Sequence, residues 1–429
     1  MKKIKLPLLI SLCLCFIFSG CSTLRFSSID DLISPISPSG DEALVQRAVD
    51  EYCKSGYSIK IASSGGHTSS YIFSDLDNDK KKEAIAFYEP NDSLGTINMA
   101  VLKEKNNNWS VIYNLVGDGS DVSSVEFSDL NNDERPEIIV SWKAISKSGN
   151  YNLCVYEQGE NDGKYSLKMI GKPVTAGEFV SIDLNEDGVN ELVVLSVGTS
   201  STSPKAKLYS YNKRQNLIGD TKLDSRIVDF EKITVGNTDE GPSIYVDAIC
   251  TGEKRVTEFL YWSNYYKSIV SPFYSYNTTH TSDTIRNNNL NCADIDDDKE
   301  IEIPLDKSVK GLSKGISCQN WVIYKKTVLN HKAYSYCVSS DSYYVVLNND
   351  EFKMLTPKYD SNTRELIFYN GKEECFRILT AMKSSFDSDS YNDYSELFSD
   401  SGFVYLARVN KKCAVSITID DLKNKVKTY

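Results

Sequence analysis

The sequence predicts a mainly β chain: a β-propeller of about five four-stranded blades with an N-terminal helix in front and a small C-terminal α+β domain behind. Three observations predict it. An acidic loop recurs four times at regular spacing, each copy runs straight into an apolar β-prone stretch, and about four such stretches fall within each repeat.

The loops read Asp75-Leu-Asp77-Asn-Asp79-Lys-Lys-Lys-Glu83, Asp129-Leu-Asn131-Asn-Asp133-Glu-Arg-Pro-Glu137, Asp183-Leu-Asn185-Glu-Asp187-Gly-Val-Asn-Glu191 and Asp294-Ile-Asp296-Asp-Asp298-Lys-Glu-Ile-Glu302. The step from Asp75 to Asp129 equals the step from Asp129 to Asp183, and the step from Asp183 to Asp294 is close to twice as long. The skipped copy falls near position 237, where Ile233 to Ile249 keeps a strand–turn–strand pattern but loses most acidic side chains. The period lies just past the range of roughly 20–50 residues that marks solenoids and propellers. Four β-prone stretches per period are the content of a propeller blade. In the first unit they are Ser70–Phe73, Ala84–Tyr88, Ile97–Leu102 and Ser110–Leu115.

Side-chain oxygens at loop positions 1, 3, 5 and 9 suit a hard cation. An EF-hand would need a bidentate Glu at position 12 between two helices. Here position 12 is Ala86, Val140, Val194 and Leu305, and β-prone sequence follows. Dockerin-type repeats fall to the same argument. The alternative is a set of metal-free Asx turns. Against it, two carboxylates about 4 Å apart repel by about 4 kcal/mol at an effective dielectric near 20. The loops at Asp75 and Asp294 have four carboxylates each and the other two have three, whereas only Gly188 offers a glycine at position 6. Charge and backbone geometry therefore rank the sites differently.

These residues resemble the FG-GAP repeats of integrin α-type chains, also called VCBS repeats, over about residues 57 to 310 of a propeller spanning 57–339. The resemblance implies propeller blades with structural Ca2+ in up to four loops, each between a blade's first two strands. The implied ligands are Asp75, Asp77, Asp79 and Glu83; Asp129, Asn131, Asp133 and Glu137; Asp183, Asn185, Asp187 and Glu191; and Asp294, Asp296, Asp298 and Glu302. To these it adds the backbone carbonyls of Lys81, Arg135, Val189 and Glu300. Those repeats favour Gly at position 6, so Lys80, Glu134 and Lys299 depart from the pattern. Each should cost on the order of 1 kcal/mol in a left-handed conformation.

Ahead of the repeats, Lys2, Lys3 and Lys5 precede an apolar run from Leu6 to Phe18 that ends on Ser19-Gly20-Cys21, the layout of a secretory signal. Ending on Cys resembles a bacterial lipoprotein signal, with residues 1–20 removed and Cys21 lipidated, which implies an extracytoplasmic chain anchored to the cell membrane. An ordinary cleaved signal is the alternative. Residues 21–40, rich in Ser and Pro, read as a tether. Ser39-Gly-Asp-Glu42 has the form of a capping box and opens an amphipathic helix over 41–56 whose apolar face packs on the propeller or meets a partner.

Beyond 340 the repeat stops, and an α+β pattern follows with a strand over Lys353–Pro357, a helix over Tyr391–Phe398 and a last helix within Ile417–Val426. Its layout faintly resembles PsbP-like domains, which implies a binding or scaffolding module. Of eleven cysteines, eight follow Cys21; their scatter, with no Cys-x-x-Cys pair, argues against zinc and favours mostly free thiols over disulfides.

A net charge of −11 and the lack of a basic stripe argue against nucleic acid. Only His67, His280 and His331 are present, widely separated. Ser63-Ser-Gly-Gly-His67 reads as a tight turn better than as an anion loop, since no helix follows it. No P-loop, nucleophile elbow or zinc-protease helix occurs. The sequence thus points to a membrane-anchored, calcium-stabilised module binding a protein or glycan, with an enzyme acting on polysaccharide or another envelope polymer as the alternative. Replacing Cys21 by Ala should release the protein into the medium, as fractionation would show; continued membrane retention would refute the anchor.

Overall fold

The computed structural model describes residues 40–143, 151–161 and 164–429. The expected signal and Cys21 lie outside the described residues, as do residues 21–39 of the tether. No described helix is long and apolar enough to cross a membrane. The structure is mainly β, a succession of antiparallel sheets.

The first sheet comprises β1 (Tyr57–Lys60), β2 (Ile72–Ser74), β3 (Glu83–Pro90), β4 (Asn98–Lys105) and β5 (Asn108–Val116), with β1 and β2 sharing the outer edge of β3. The second has β6 (Asp121–Ser128), β7 (Glu137–Lys143), β8 (Tyr151–Asn161), β9 (Lys164–Met169) and β10 (Val174–Ala176). The third runs β11 (Glu178–Ile182), β12 (Glu191–Ser196), β13 (Lys205–Ser210), β14 (Asn216–Lys222), and the fourth β15 (Ile227–Thr238), β16 (Gly241–Cys250), β17 (Arg255–Ser263), β18 (Ser268–Val270). A hairpin of β19 (Tyr274–Ser275) and β20 (His280–Thr281) follows. The degenerate copy at 237 is thus the tight β15–β16 turn, its strand–turn–strand pattern intact.

The fifth sheet runs β21 (Ile303–Asp306), β22 (Ser317–Lys325), β23 (Val328–Val338), β24 (Tyr343–Leu347), and the chain end returns as β30 (Val426–Thr428) against β24. The expected boundary at 339/340 therefore falls inside a hydrogen-bonded sheet. The sixth has β25 (Thr356–Asp360), β26 (Glu365–Asn370), β27 (Glu373–Met382), β28 (Ser395–Ser399) and β29 (Phe403–Val409), in the order 25-26-27-29-28.

Apolar alternation makes each sheet two-faced, and the cores lie between consecutive sheets. Ile85, Phe87 and Val101 meet Val140, Trp142 and Cys154, with Phe87 and Trp142 edge to face at 5.6 Å. Leu153 and Val155 meet Leu192 and Val194; Val193 and Leu208 meet Ile244 and Val246; Tyr245 and Phe259 meet Val322 and Tyr324. A last core joins Tyr336 and Val345 of the fifth sheet to Phe368 and Ile378 of the sixth.

The helix α1 (Asp41–Tyr52) buries Val45, Ala48 and Val49 on the other face of the first sheet, against Ala84, Ala86, Tyr88 and Trp109. It ends before residue 56, and its N-cap is Gly40, which has no side chain to accept a hydrogen bond, so the expected capping box is not the cap. Two further expectations are corrected. Asn349–Met354 is the helix α2, not the start of a strand: Asn348 accepts from the Asp350 and Glu351 amides while Glu351 accepts from the Asn348 amide. Ser395–Ser399 is strand β28, not helix, because laddering onto β29 buries Leu397. The last helix, α3, spans Ile419–Lys425, and a capping box of Thr418 and Asp421 starts it.

Six of the eight cysteines are free, five of them buried, and Cys375 and Cys413 form a disulfide at a sequence separation of 38. A chain-entropy argument gives about 4 kcal/mol for a loop of that length. Replacing both cysteines by Ala should lower the thermal midpoint, and a reductant that lowers the wild-type midpoint should leave the variant's unchanged.

Candidate metal centres

Each acidic loop joins an edge strand to the next: β2 to β3, β6 to β7 and β11 to β12. At the fourth loop an isolated bridge between Ala293 and Glu302 stands in for the first strand, just before β21. The position-9 glutamate therefore opens β3, β7 and β12 and, in the fourth copy, forms the bridge just before β21; it is 0 to 2% exposed in all four copies.

Three hydrogen bonds recur in every loop. The position-2 amide donates to Oε2 of the position-9 glutamate: Leu76 to Glu83 (2.9 Å), Leu130 to Glu137 (2.7 Å), Leu184 to Glu191 (3.0 Å) and Ile295 to Glu302 (3.0 Å). The position-6 amide donates to Oδ2 of the first aspartate at 2.8 to 2.9 Å. The position-7 amides of Lys81, Arg135, Val189 and Glu300 donate to Oδ1 of Asp79, Asp133, Asp187 and Asp298. These are the charge-assisted bonds of a tight turn.

Position 6 is left-handed in all four, with Lys80, Glu134, Gly188 and Lys299 at φ of 69°, 67°, 88° and 73°. Position 4 is left-handed too, at Asn78, Asn132, Glu186 and Asp297. That second requirement was not anticipated, although Asn and Asp, which tolerate the region, occupy three of the four places.

Three clusters bring carboxylate oxygens within 4.8 Å of one another: Asp75, Asp77 and Glu83; Asp183, Asp187 and Glu191; Asp294, Asp296 and Glu302. In the loop at Asp129 the Asn131 amide donates to Glu137 Oε1 (2.7 Å), and Asn185 does the same for Glu191 (2.8 Å). Hard oxygen donors at this spacing suit a metal ion.

Two lysines that carry no motif in the sequence reach into the other loops. Lys103 on β4 bonds Asp77 (2.5 Å), Glu83 (2.7 Å) and Asp79 (3.1 Å). Lys332 on β23 bonds Asp298. Partial burial opposes the Lys103 charge, but its three carboxylate partners outweigh that and raise its pKa.

The degenerate unit has a different fastening. Asp224 pairs with Arg226 (2.5 Å), and Glu258 accepts from the Asp224 amide, Ser271 and Thr281. Asp247 pairs with Arg286 at 2.7 Å, both buried, and accepts from the Cys292 amide. No repeat signal marks these residues. The sequence hint was charge inside apolar strands, at Asp247 and Glu258.

His67 packs edge-on to Phe127, and the Ser63 and Ser64 amides donate to Val122 and Ser123, so this segment is a turn docked on the second sheet. His331 bonds Asn320 and Asn349. Beside the first loop a cleft of about 320 Å3 is lined by Tyr113, Arg135, Gln158 and Tyr165. Its lysine, Lys103, is committed to the loop carboxylates.

No protein-family model matches the chain, and no curated protein does. Among solved structures, a hypothetical protein from Leishmania major is similar at 12% identity and a TM-score of 0.24, over 60% of this chain and 88% of that one. Sqt1 of Chaetomium thermophilum is similar at 7% identity and a TM-score of 0.34, over 82% and 98%. Likenesses this weak carry no argument about function.

Burial raises the position-9 carboxyls, Glu137 and Glu191 to about 7 and Glu302 to about 8, from an ordinary value of 4.5. A carboxyl raised by folding takes up a proton on folding, so its contribution is full below about pH 4.5 and is lost as pH climbs through the folded value. Metal-free protein should therefore lose stability from about pH 4.5 to 8, which denaturant midpoints measured across that range would show.

Proposed function

We propose that the protein is a calcium-stabilised β-propeller that binds a protein or glycan outside the cytoplasm, held to a bacterial membrane by lipid on Cys21. The observation that carries this reading is the recurrence of one loop geometry, with the same three hydrogen bonds, at the entry of four stacked antiparallel sheets. The stacked sheets are blades on this reading. Because α1 covers the outer face of the first sheet, the ring would close through that helix rather than directly from sheet to sheet.

Each ion would be held by the carboxylates and asparagines at positions 1, 3 and 5, the position-7 carbonyl and the position-9 glutamate. Its role is structural: it would neutralise carboxylates that crowd one turn and fix the angle at which a strand enters its sheet. Binding rather than catalysis is favoured by the separate packing roles of His67 and His331. The C-terminal sheet, which shares a core with the fifth, would then serve as a further binding or scaffolding surface.

Calcium that binds only the folded chain stabilises it by about 2.7 kcal/mol per site at about 100 times its Kd. Dialysis against chelator should lower the melting temperature and calcium titration should restore it. An unmoved melting temperature would refute the calcium reading.

A further inference from the structure

We infer that Lys103 and Lys332 are built-in cations, each holding its acidic loop closed at the place where a divalent ion would sit, so that the loops at Asp75 and Asp294 depend least on calcium. The inference rests on the calcium reading above for its comparison between loops.

The two lysines arrive by different routes. Leu102 pairs with Ala84, so Lys103 stands across the sheet from Glu83. Lys332 is the extra residue of a bulge, because Trp321 pairs with Ala333 and Val322 with His331. Both ammonium groups nevertheless converge on loop positions 3, 5 and 9. Lys103 meets Asp77, Asp79 and Glu83 at 2.5, 3.1 and 2.7 Å. Lys332 bonds Asp298 and lies 3.4 Å from Asp296 and 3.8 Å from Glu302. Inheritance of one ancestral repeat would not place them by two different registers.

The other two loops show the complementary arrangement. With the register continued from Ile138–Tyr156 and Leu192–Tyr209, the residues across from Glu137 and Glu191 are Glu157 and Ser210, neither of them cationic. Position 3 in these loops is Asn131 or Asn185, whose amide donates to Glu Oε1 as Lys103 does in the first loop. Thus Asp at position 3 goes with a lysine, and Asn at position 3 goes without one, in all four copies; the one cation at an Asn loop among the described residues, Arg135, pairs with position 5 alone, at 2.9 Å from Asp133.

An ammonium has three protons and one charge, so it satisfies fewer oxygens than a divalent ion. Asp75 Oδ1, Asp77 Oδ1 and Glu302 Oε1 are buried without a hydrogen-bond donor, and Glu302 is fully buried. Calcium can therefore still enter a lysine-held loop by displacing the ammonium, at the cost of that ion pair. Two tiers of calcium affinity follow, tighter at Asp129 and Asp183 and weaker at Asp75 and Asp294.

The test compares thermal midpoints of the full chain with Lys103→Met, Lys332→Met and Lys325→Met variants, in chelator and in calcium. Lys325, half exposed, with its ammonium 3.4 Å from Glu300 and in no ion pair with positions 1, 3, 5 or 9, is the control. In chelator the Lys103 and Lys332 variants should each melt at least about 3 °C lower, calcium should restore them, and the control should not move. Calorimetric titration should show one weak calcium site per variant becoming at least tenfold tighter. The double variant Asp77→Asn/Lys103→Met copies the asparagine arrangement and should recover most of the chelator midpoint; it also keeps the test alive if the single variant fails to fold. Unchanged midpoints in chelator, a loss that calcium does not restore in protein whose wild type it stabilises, or a double variant as unstable as the single one would each overturn the inference. If calcium moves neither wild type nor variants while the lysine variants still melt lower, the calcium reading falls and the lysines stand as the loops' cations.

Discussion

The buried glutamate at the end of each acidic loop, which opens a strand in three copies and forms a bridge just before one in the fourth, is the point on which the rest of the structure depends. Its Oε2 is tied to the position-2 amide of its own loop, so it cannot leave the turn. Its backbone is already in the ladder, so it cannot leave the sheet. A carboxylate held so deeply demands a partner for its other oxygen. The loops at Asp75, Asp129 and Asp183 supply one, the Lys103 ammonium or an asparagine amide, whereas at Glu302 the Lys332 ammonium stands 3.8 Å away.

Given that junction, the architecture follows from alternation. In the second, third and fourth sheets one apolar face meets the preceding sheet and the other the next, whereas the fifth sheet meets the fourth and the sixth on one face, through Val322 and Tyr324 and through Cys318 and Tyr336, and aromatic residues such as Phe87, Trp142, Phe259 and Tyr324 fill the spaces between sheets. The first sheet has no predecessor. The amphipathic stripe of α1 takes that place, which is why Val45 and Val49 are as buried as any strand residue.

Much of this was legible in the sequence because it is local and repeated. The loops, the strands that follow them and the surviving hairpin at position 237 all carry short-range signals that recur in register. The lysines were not legible as site residues: Lys103 comes from the strand after the one Glu83 opens, Lys332 sits in a bulge, and neither pairing is fixed by a motif. The Asn348 capping box was written in Asn348-Asn-Asp-Glu351 and overlooked. The strand nature of Ser395–Ser399 was not local at all, since it comes from the edge of β29. The Cys375–Cys413 pair belongs to the same class, set by which strands become neighbours.

The fourth sheet has a consequence of its own. Where the acidic turn has been lost, the buried Asp247–Arg286 pair and the Asp224–Glu258 network fasten the sheet to the chain that follows it. Removing one member of such a pair leaves an uncompensated charge in a low-dielectric interior, so this sector tolerates little change in sequence. Its fastening is made by the chain's own side chains. A molecule assembled this way would have a permanent keel beside adjustable planking, and divalent-ion depletion would loosen the second and third sheets, whose loops have no lysine, before the fourth yields.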